Sequence, residues 1–227
     1  MTDQKSFELS PSAAILMAGV VIAAAIVFAR VSPAAEVVVD GAAQGTALKV
    51  TKPSQDEHII GRADARIVLI EYSDFQCPYC ATIHPTLKRI VEESNGDVAW
   101  TMRSLPLTSI HPEAEPAANA AECVASELGN DAFWKFAEVL FANQKELSST
   151  FYINTAIQLG ANPLTFSACI SERRYQNVVD RESLEAQKLG ATGTPFVVVL
   201  NTKTGVSATI PGALPYAQAM AVIKSVQ

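Results

Sequence analysis

The chain has 227 residues, 49% of them hydrophobic and 18% charged, enough for one sizeable domain with appendages. Seventeen basic residues against 23 acidic ones leave a net charge of −6. Basic clusters interleaved with stacking aromatics are missing, so a nucleic-acid partner is excluded.

Residues 1–11 are a short polar N-terminus in which Asp3 and Glu8 offset Lys5 and the terminal amine. Ser12 to Ala29 is a run of 18 uncharged residues between Pro11 and Arg30, a length that just crosses a bilayer as a helix. The run is longer than the core of an ordinary signal peptide, so an uncleaved transmembrane anchor over 12–30 is favoured. Ser32-Pro33-Ala34 keeps the cleaved-signal reading open. Residues 31–55 are rich in Ala, Gly and Val without a sustained period and read as a linker. Random-coil scaling of about 5–6 Å times the square root of its length gives that linker a reach of tens of ångströms. A folded domain is expected over 56–227.

His58 to Gly61 suggests a short edge strand, and Ile67-Val68-Leu69-Ile70 a strand buried on both faces. After it comes Glu71-Tyr72-Ser73-Asp74-Phe75-Gln76-Cys77-Pro78-Tyr79-Cys80, and then a helix from Ala81 to Glu93 with Ile83, Leu87, Ile90 and Val91 at helical spacing. Val98 to Arg103 reads as a second central strand, which makes a βαβ unit with a parallel pair. The segment 111–190 is almost wholly helical, with helices expected at Glu113–Leu128, Ala132–Asn143, Tyr152–Leu159, Pro163–Ser171 and Arg174–Leu189. Phe196 to Leu200 and Val206 to Ile210 are joined too closely to be anything but an antiparallel hairpin, and Pro215 to Val226 closes the chain as a helix.

The two cysteines of Cys77-Pro78-Tyr79-Cys80 therefore stand at a strand-to-helix junction, Cys77 near the N-cap and Pro78 at the first helical position. Unpaired N–H groups and the partial positive charge of a helix N-terminus favour a thiolate over a thiol. The thiolate is the form that attacks disulfides. Cys77, the more N-terminal and expectedly the more exposed thiol, is the candidate nucleophile, and Cys80 the resolving thiol. Half a zinc site and an inert structural disulfide are the competing readings. A second cysteine pair that zinc would require is missing, since Cys123 and Cys169 stand singly. His84, two turns along the helix from Cys77, reads as a solvated surface histidine able at most to lend some positive charge. This cysteine usage fits an oxidising compartment, placing residues 1–11 in the cytoplasm and the domain beyond the membrane.

The order β-α-β, helical insert, β-β-α, with CxxC after the first central strand, resembles the thioredoxin fold. The insert makes the chain similar to the DsbA-like thiol oxidoreductases. The resemblance rests on Glu71 through Cys80, on Gly193-Thr194-Pro195-Phe196, and on the helical segment from Glu122-Cys123 to Phe141 containing Phe133-Trp134. It implies that Pro195 is a cis-proline facing the cysteines, and that Thr194 pairs through its backbone with an extended substrate. It implies that Pro78 and Tyr79 help to contact that substrate. It also implies that Glu71, six residues before Cys77, accepts the Cys80 proton, although strand alternation could instead point Glu71 to solvent. Members of this family sometimes carry a second disulfide in the insert, so Cys123 and Cys169 are either such a pair or two buried free thiols. The departure is Tyr79, where strongly oxidising members typically have histidine.

The activity so implied is that of a membrane-anchored dithiol oxidase, on the periplasmic side of a bacterial inner membrane. It would use no metal and no organic cofactor, only the Cys77–Cys80 disulfide. Its partners would be reduced or misoxidised exported proteins and a membrane or soluble redox partner. A reductase or isomerase, and a non-catalytic peptide-binding chaperone, are the alternatives.

Overall fold

The computed structural model describes residues 48–54 and 57–227. The expected N-terminus 1–11, the anchor 12–30 and linker residues 31–47 lie outside the described residues. Among those described, no helix is long and apolar enough to cross a membrane.

Five strands form one sheet: β1 (Ile59–Ile60), β2 (Ile67–Ser73), β3 (Val98–Ser104), β4 (Phe196–Asn201) and β5 (Ser207–Pro211), in the order β1-β3-β2-β4-β5. Only β2 and β3 run parallel, with Leu69 opposite Trp100 and Glu71 opposite Met102; α1 (Pro78–Glu93) is their crossover. All seven residues of β2 are buried, as its apolar run requires of a strand covered on both faces. Ile67 and Leu69 pack with Trp100 and with Ile83, Leu87 and Ile90 of α1, joined by Ala219 and Ile223 of α7 (Tyr216–Ser225). Val68, Ile70 and Tyr72 point to the other face and meet Val198, Leu200 and Ala186. β1 is only two residues long, and its outer edge is closed by the Asn130 side chain, which accepts from Ile59 N–H (2.8 Å) and donates to Ile59 C=O (3.0 Å).

The helical insert comprises α2 (Ala114–Leu128), α3 (Asn130–Ala142), α4 (Ser149–Leu159), α5 (Pro163–Ser171) and α6 (Gln176–Lys188). Phe133, Trp134, Phe136, Leu140, Tyr152 and Phe166 continue the core on the α1 side of the sheet, whereas Ala186 of α6 covers the opposite face. The side chain of Asn119 in α2 donates to Gln176 at the start of α6 (2.9 Å), so the two helices are tied by a buried polar contact. A disulfide joins Cys123 of α2 to Cys169 of α5, with Cα atoms 6.0 Å apart.

The linker boundary is corrected at its C-terminal end. Residues 48–54 carry no regular structure, yet they are fastened along the domain. Leu48 N–H donates to Ser207 Oγ (3.0 Å) and Thr51 N–H to Glu185 (2.9 Å), while Thr51 C=O accepts from Arg103 (2.9 Å). Leu48 and Val50 pack on the apolar cluster of the α6 face. Two apolar residues and three backbone bonds hold a stretch whose composition alone reads as free chain.

Candidate active site

The site is built at the C-terminal end of β2. The chain leaves the strand at Ser73, and the buried Asp74 carboxylate folds it back by accepting from Gln76 N–H (2.7 Å), Leu107 N–H (2.9 Å) and His111 Nδ1 (2.8 Å). Gln144 in turn donates to Phe75 C=O (2.9 Å) and Cys77 C=O (2.8 Å). These contacts deliver Cys77 as the N-cap of α1, with an extended backbone and Pro78 immediately inside the helix. Pro85 interrupts the α1 hydrogen-bond ladder, and the helix continues through it because Ile83, Leu87, Ile90 and Val91 bury the same face on either side.

Both thiols are free and both are buried, Cys77 3% exposed and Cys80 0%. Cys77 is the more exposed of the two, as expected, but by a small margin, because the Thr194-Pro195 segment lies against it. The Thr194–Pro195 peptide bond is cis, and the Thr194 carbonyl stands 3.4 Å from Cys77 Sγ. Pro195 is itself buried, whereas Pro78 and Tyr79 are exposed, Tyr79 to 65%.

The electrostatics separate the two thiols. A hydrogen bond from Cys80 pulls the Cys77 thiol down to about 5; the backbone N–H groups of Tyr79 and Cys80 add to this, and burial opposes it. Burial drives the Cys80 thiol upward, and the neighbouring Cys77 and Glu71 push it further in the same direction. The Asp74 backbone N–H donates to Cys80 Sγ at 3.5 Å.

Glu71 is fully buried and faces the cysteines, not solvent. Its Oε1 accepts from Ser73 Oγ (2.8 Å) and its Oε2 from Trp100 Nε1 (3.0 Å). Burial raises its pKa to about 7 against the pull of those two bonds, and the nearby Cys77 adds to the rise. Sequence reasoning singled out Glu71 and missed the side chains that hold it. Ser73 is two residues along the same strand, hence on the same face, and Trp100 lies on the adjacent parallel strand.

His84 is not a surface residue. It is 6% exposed, wedged edge-on to Trp100 (4.9 Å between ring centroids) and against Phe141 (4.9 Å). Neither ring nitrogen has a hydrogen-bond partner among the described residues, and burial lowers its pKa to about 4. His84 is therefore neutral near pH 7 and lends Cys77 no charge. Among the described residues no group of three or more His, Cys, Asp or Glu side chains is placed to hold a metal ion.

A family model described as Thioredoxin matches residues 53–211. Among curated proteins, the chain is 31% identical over 160 residues to the Na(+)/H(+) antiporter NhaA 3 of Salinispora tropica, covering 70% of this chain and 24% of that protein. It is 32% identical over 154 residues to the antiporter NhaA 1 of Mycolicibacterium vanbaalenii, with 66% and 24% covered. The chain thus spans about a quarter of the length of the curated relatives it matches. Among solved structures, Pseudomonas aeruginosa DsbA2 superposes with a TM-score of 0.64 at 25% identity, over 75% of this chain and 94% of its own. A periplasmic thioredoxin-like protein of Salmonella enterica serovar Typhimurium does so with a TM-score of 0.59 at 26% identity, over 78% and 92%. Oxidised BdbD of Bacillus subtilis shares the fold at 23% identity, with a TM-score of 0.65 over 77% and 96%.

Proposed function

The chain belongs to the thioredoxin family, with a DsbA-like helical insertion, and from that premise we propose that it is a dithiol oxidase that gives its Cys77–Cys80 disulfide to exported proteins. The proposal has two parts, a thiol:disulfide oxidoreductase activity and its direction of transfer. The observation that carries it is the asymmetry of the two thiols, with Cys77 held near 5 and Cys80 pushed up. A reduced form that keeps Cys77 as a thiolate at neutral pH is stabilised, and a stabilised reduced form makes the disulfide a good oxidant.

In the proposed cycle a substrate thiolate attacks Cys77. The Cys77–Cys80 bond breaks, the electron pair leaves on Cys80, and Cys80 takes up a proton. A second substrate thiolate then attacks the substrate sulfur of the mixed disulfide, forms the substrate disulfide and releases Cys77 as a thiolate. Two electrons have passed from substrate to protein, and a membrane or soluble redox partner must remove them. The cycle itself requires neither metal nor organic cofactor. The Thr194 backbone beside cis-Pro195 offers pairing to an extended substrate, which recognises chain and not sequence. Pro78 and Tyr79, which follow Cys77 at the start of α1, are exposed and so accessible to a substrate.

An extracytoplasmic location is supported by the cysteine usage and by the periplasmic relative. Anchoring through residues 12–30 is supported by the 18 uncharged residues from Ser12 to Ala29. The test is the reduction potential of the Cys77–Cys80 pair in the full chain, from equilibration with glutathione and alkylation of free thiols. A value near about −120 mV is expected of a strong oxidant; one at or below about −230 mV would overturn the oxidase reading in favour of a reductase.

A further inference from the structure

When a substrate thiolate opens the Cys77–Cys80 bond, the electron pair leaves on Cys80, whose residue is 0% exposed. A charge that appears on a buried atom is costly unless a donor is already aimed at it. Among the described residues, the hydrogen-bond donor directed at the Cys80 sulfur is the backbone N–H of Asp74, at 3.5 Å. That N–H is free for the purpose because the pairing of β2 with β3 ends one residue earlier, where Ser73 lies opposite Ser104. Asp74 and Cys80 are six positions apart, so a turn must bring them together.

The Asp74 side chain fixes that turn. Its Oδ1 accepts from Gln76 N–H (2.7 Å), two residues on, the local loop that aspartate favours. Its Oδ2 accepts from Leu107 N–H (2.9 Å) and from His111 Nδ1 (2.8 Å), both on the segment between β3 and α2. Two further bonds fasten the same stretch to that segment: Leu105 N–H donates to Ser73 C=O (2.8 Å), and Glu113 N–H donates to the Gln76 side chain (2.8 Å). Of the three donors on the Asp74 carboxylate, two are backbone groups that almost any residue would supply. The third depends on sequence: the His111 ring is 15% exposed, against a carboxylate with no exposure at all. The backbone of His111 is held independently of its ring, since its N–H donates to Leu107 C=O (2.9 Å) and its C=O accepts from Ala114 N–H (3.2 Å).

We propose that the His111 ring and the Asp74 carboxylate are positioning groups for disulfide exchange, holding the Asp74 backbone N–H on the Cys80 sulfur so that it stabilises the negative charge arising there when the disulfide opens. The proposal rests on the reading of the chain as a thiol:disulfide oxidoreductase and adds to it a donor and the two side chains that aim it. In the opening step the substrate sulfur forms a bond to Cys77 and the Cys77–Cys80 bond breaks. The charge that began on the substrate sulfur ends on Cys80, and no proton moves. An N–H bonds a charged sulfur more strongly than the neutral sulfur of a disulfide, so the donor favours the transition state over the ground state. Closure passes through the same charged sulfur in reverse and draws on the same donor. The Cys77 sulfur stands apart from this device: it meets the Thr194 carbonyl at 3.4 Å, and among the described residues neither His111 nor the Asp74 side chain is hydrogen-bonded to it.

The experiment compares wild type, His111→Ala and His111→Asn as full chains in two reactions at pH 7. The first is opening of the Cys77–Cys80 disulfide by reduced glutathione, which puts charge on Cys80. The second is alkylation of Cys77 by iodoacetamide in the reduced chain, which does not. His111→Ala is expected to slow opening about tenfold, part of what the loss of a preorganised donor costs, and to leave alkylation within about twofold of wild type. His111→Asn, whose side-chain N–H can take the place of the imidazole Nδ1–H, is expected to recover most of the opening rate. A wild-type opening rate in His111→Ala overturns the proposal. Equal slowing of opening and alkylation, or equal slowing of opening in the alanine and asparagine variants, also overturns it, because a merely structural turn residue gives those results. Amide hydrogen exchange at Asp74 in the reduced wild-type chain covers the case in which His111→Ala does not fold. An N–H held on the sulfur exchanges slowly, and exchange at the rate of an unprotected amide overturns the proposal. A wild-type disulfide that glutathione does not open at all sinks the oxidoreductase reading itself, a different outcome from an active wild type that is indifferent to residue 111.

Discussion

The Trp100 indole reaches across from β3 and donates a 3.0 Å hydrogen bond to Glu71 Oε2 on the parallel neighbour β2. This bond and the one from Ser73 hold down a carboxyl that burial has raised to about 7. A carboxyl whose folded pKa lies above its unfolded value contributes stability that is complete below about pH 4.5 and lost as pH rises through about 7. Glu71→Gln, neutral at every pH, is therefore expected to match wild type near pH 4 and to be the more stable by about 3 kcal/mol at pH 8. Urea unfolding at the two pH values checks it. Trp100→Phe, which removes a donor that lowers this pKa, should move the wild-type transition to higher pH.

The Cys77 thiolate predicts a difference between the redox forms. Its depressed pKa stabilises the reduced fold above the ordinary thiol range, and that stabilisation is lost as pH falls through about 5. The oxidised fold has no such group. The reduced chain should melt above the oxidised chain at pH 8, and the gap should narrow steadily on acidification until it closes below about pH 5. Parallel thermal melts with and without reductant give the answer; a reduced form no more stable than the oxidised one at pH 8 contradicts the thiolate.

His84 supplies the opposite slope. Burial depresses its pKa from 6.5 to about 4, so between these values the unfolded chain binds a proton that the folded chain refuses, and stability is lost as pH falls. His84→Phe cannot titrate, and it buries no unpartnered nitrogen among Trp100, Trp134 and Phe141. The stability difference between pH 7 and pH 4 should shrink by about 3 kcal/mol in this variant, as measured by denaturant unfolding.

The disulfide between Cys123 and Cys169 spans a sequence separation of 46. Closing a loop of that length restricts the unfolded chain by about 4 kcal/mol at 25 °C. The Cys123→Ala, Cys169→Ala double variant is expected to lose a stability of that order. Its Cys77–Cys80 potential should be unchanged, because the bridge joins α2 to α5 within the insert, whereas the reactive pair stands at the start of α1. Denaturant unfolding and thiol trapping on one preparation separate the two effects.

What the sequence revealed and what it hid follow from the range of the interactions. The apolar run of β2, the helical spacing in α1 and the short connection between β4 and β5 are local signals, and those elements form where they are expected. Element ends are local too: Asn162 and Ser148 cap α5 and α4 through their own side chains. By contrast, α3 begins at Asn130 instead of Ala132, because Asn130 is also fixed from outside by the Ile59 edge of β1. The burial of His84 arises from Trp100 and Phe141, 16 and 57 positions away in the chain. The same is true of the Glu71–Trp100 bond, 29 positions apart, and of the Gln144 clamp on Cys77, 67 apart. Spacing within one helix cannot show which apolar side chains another element will bring to it.

Residues 48–54 offer the sharpest test of such long-range order, because Arg103 binds the Thr51 carbonyl and also Glu185, which holds the Thr51 N–H. Buried Arg103 gives Nε and Nη2 to Glu57 (3.0 Å each), Nη1 to Glu185 (2.7 Å) and to the Tyr72 hydroxyl (3.1 Å), and Nη2 to the Thr51 carbonyl (2.9 Å). Arg103→Met leaves Glu57 and Glu185 facing each other without their cation, a loss of about 3–5 kcal/mol where a buried pair is broken. Lysine keeps the charge but not the planar fork, so Arg103→Lys should recover only part of it. The accompanying local event is release of the 48–54 segment, read as faster amide hydrogen exchange at Thr51, whose N–H is held by Glu185, itself oriented by Arg103. Alkylation of reduced Cys77 should proceed at the wild-type rate in both variants. Exchange that stays slow at Thr51 in Arg103→Met would mean that Leu48 and Val50, through their packing on the sheet, hold the segment without the arginine.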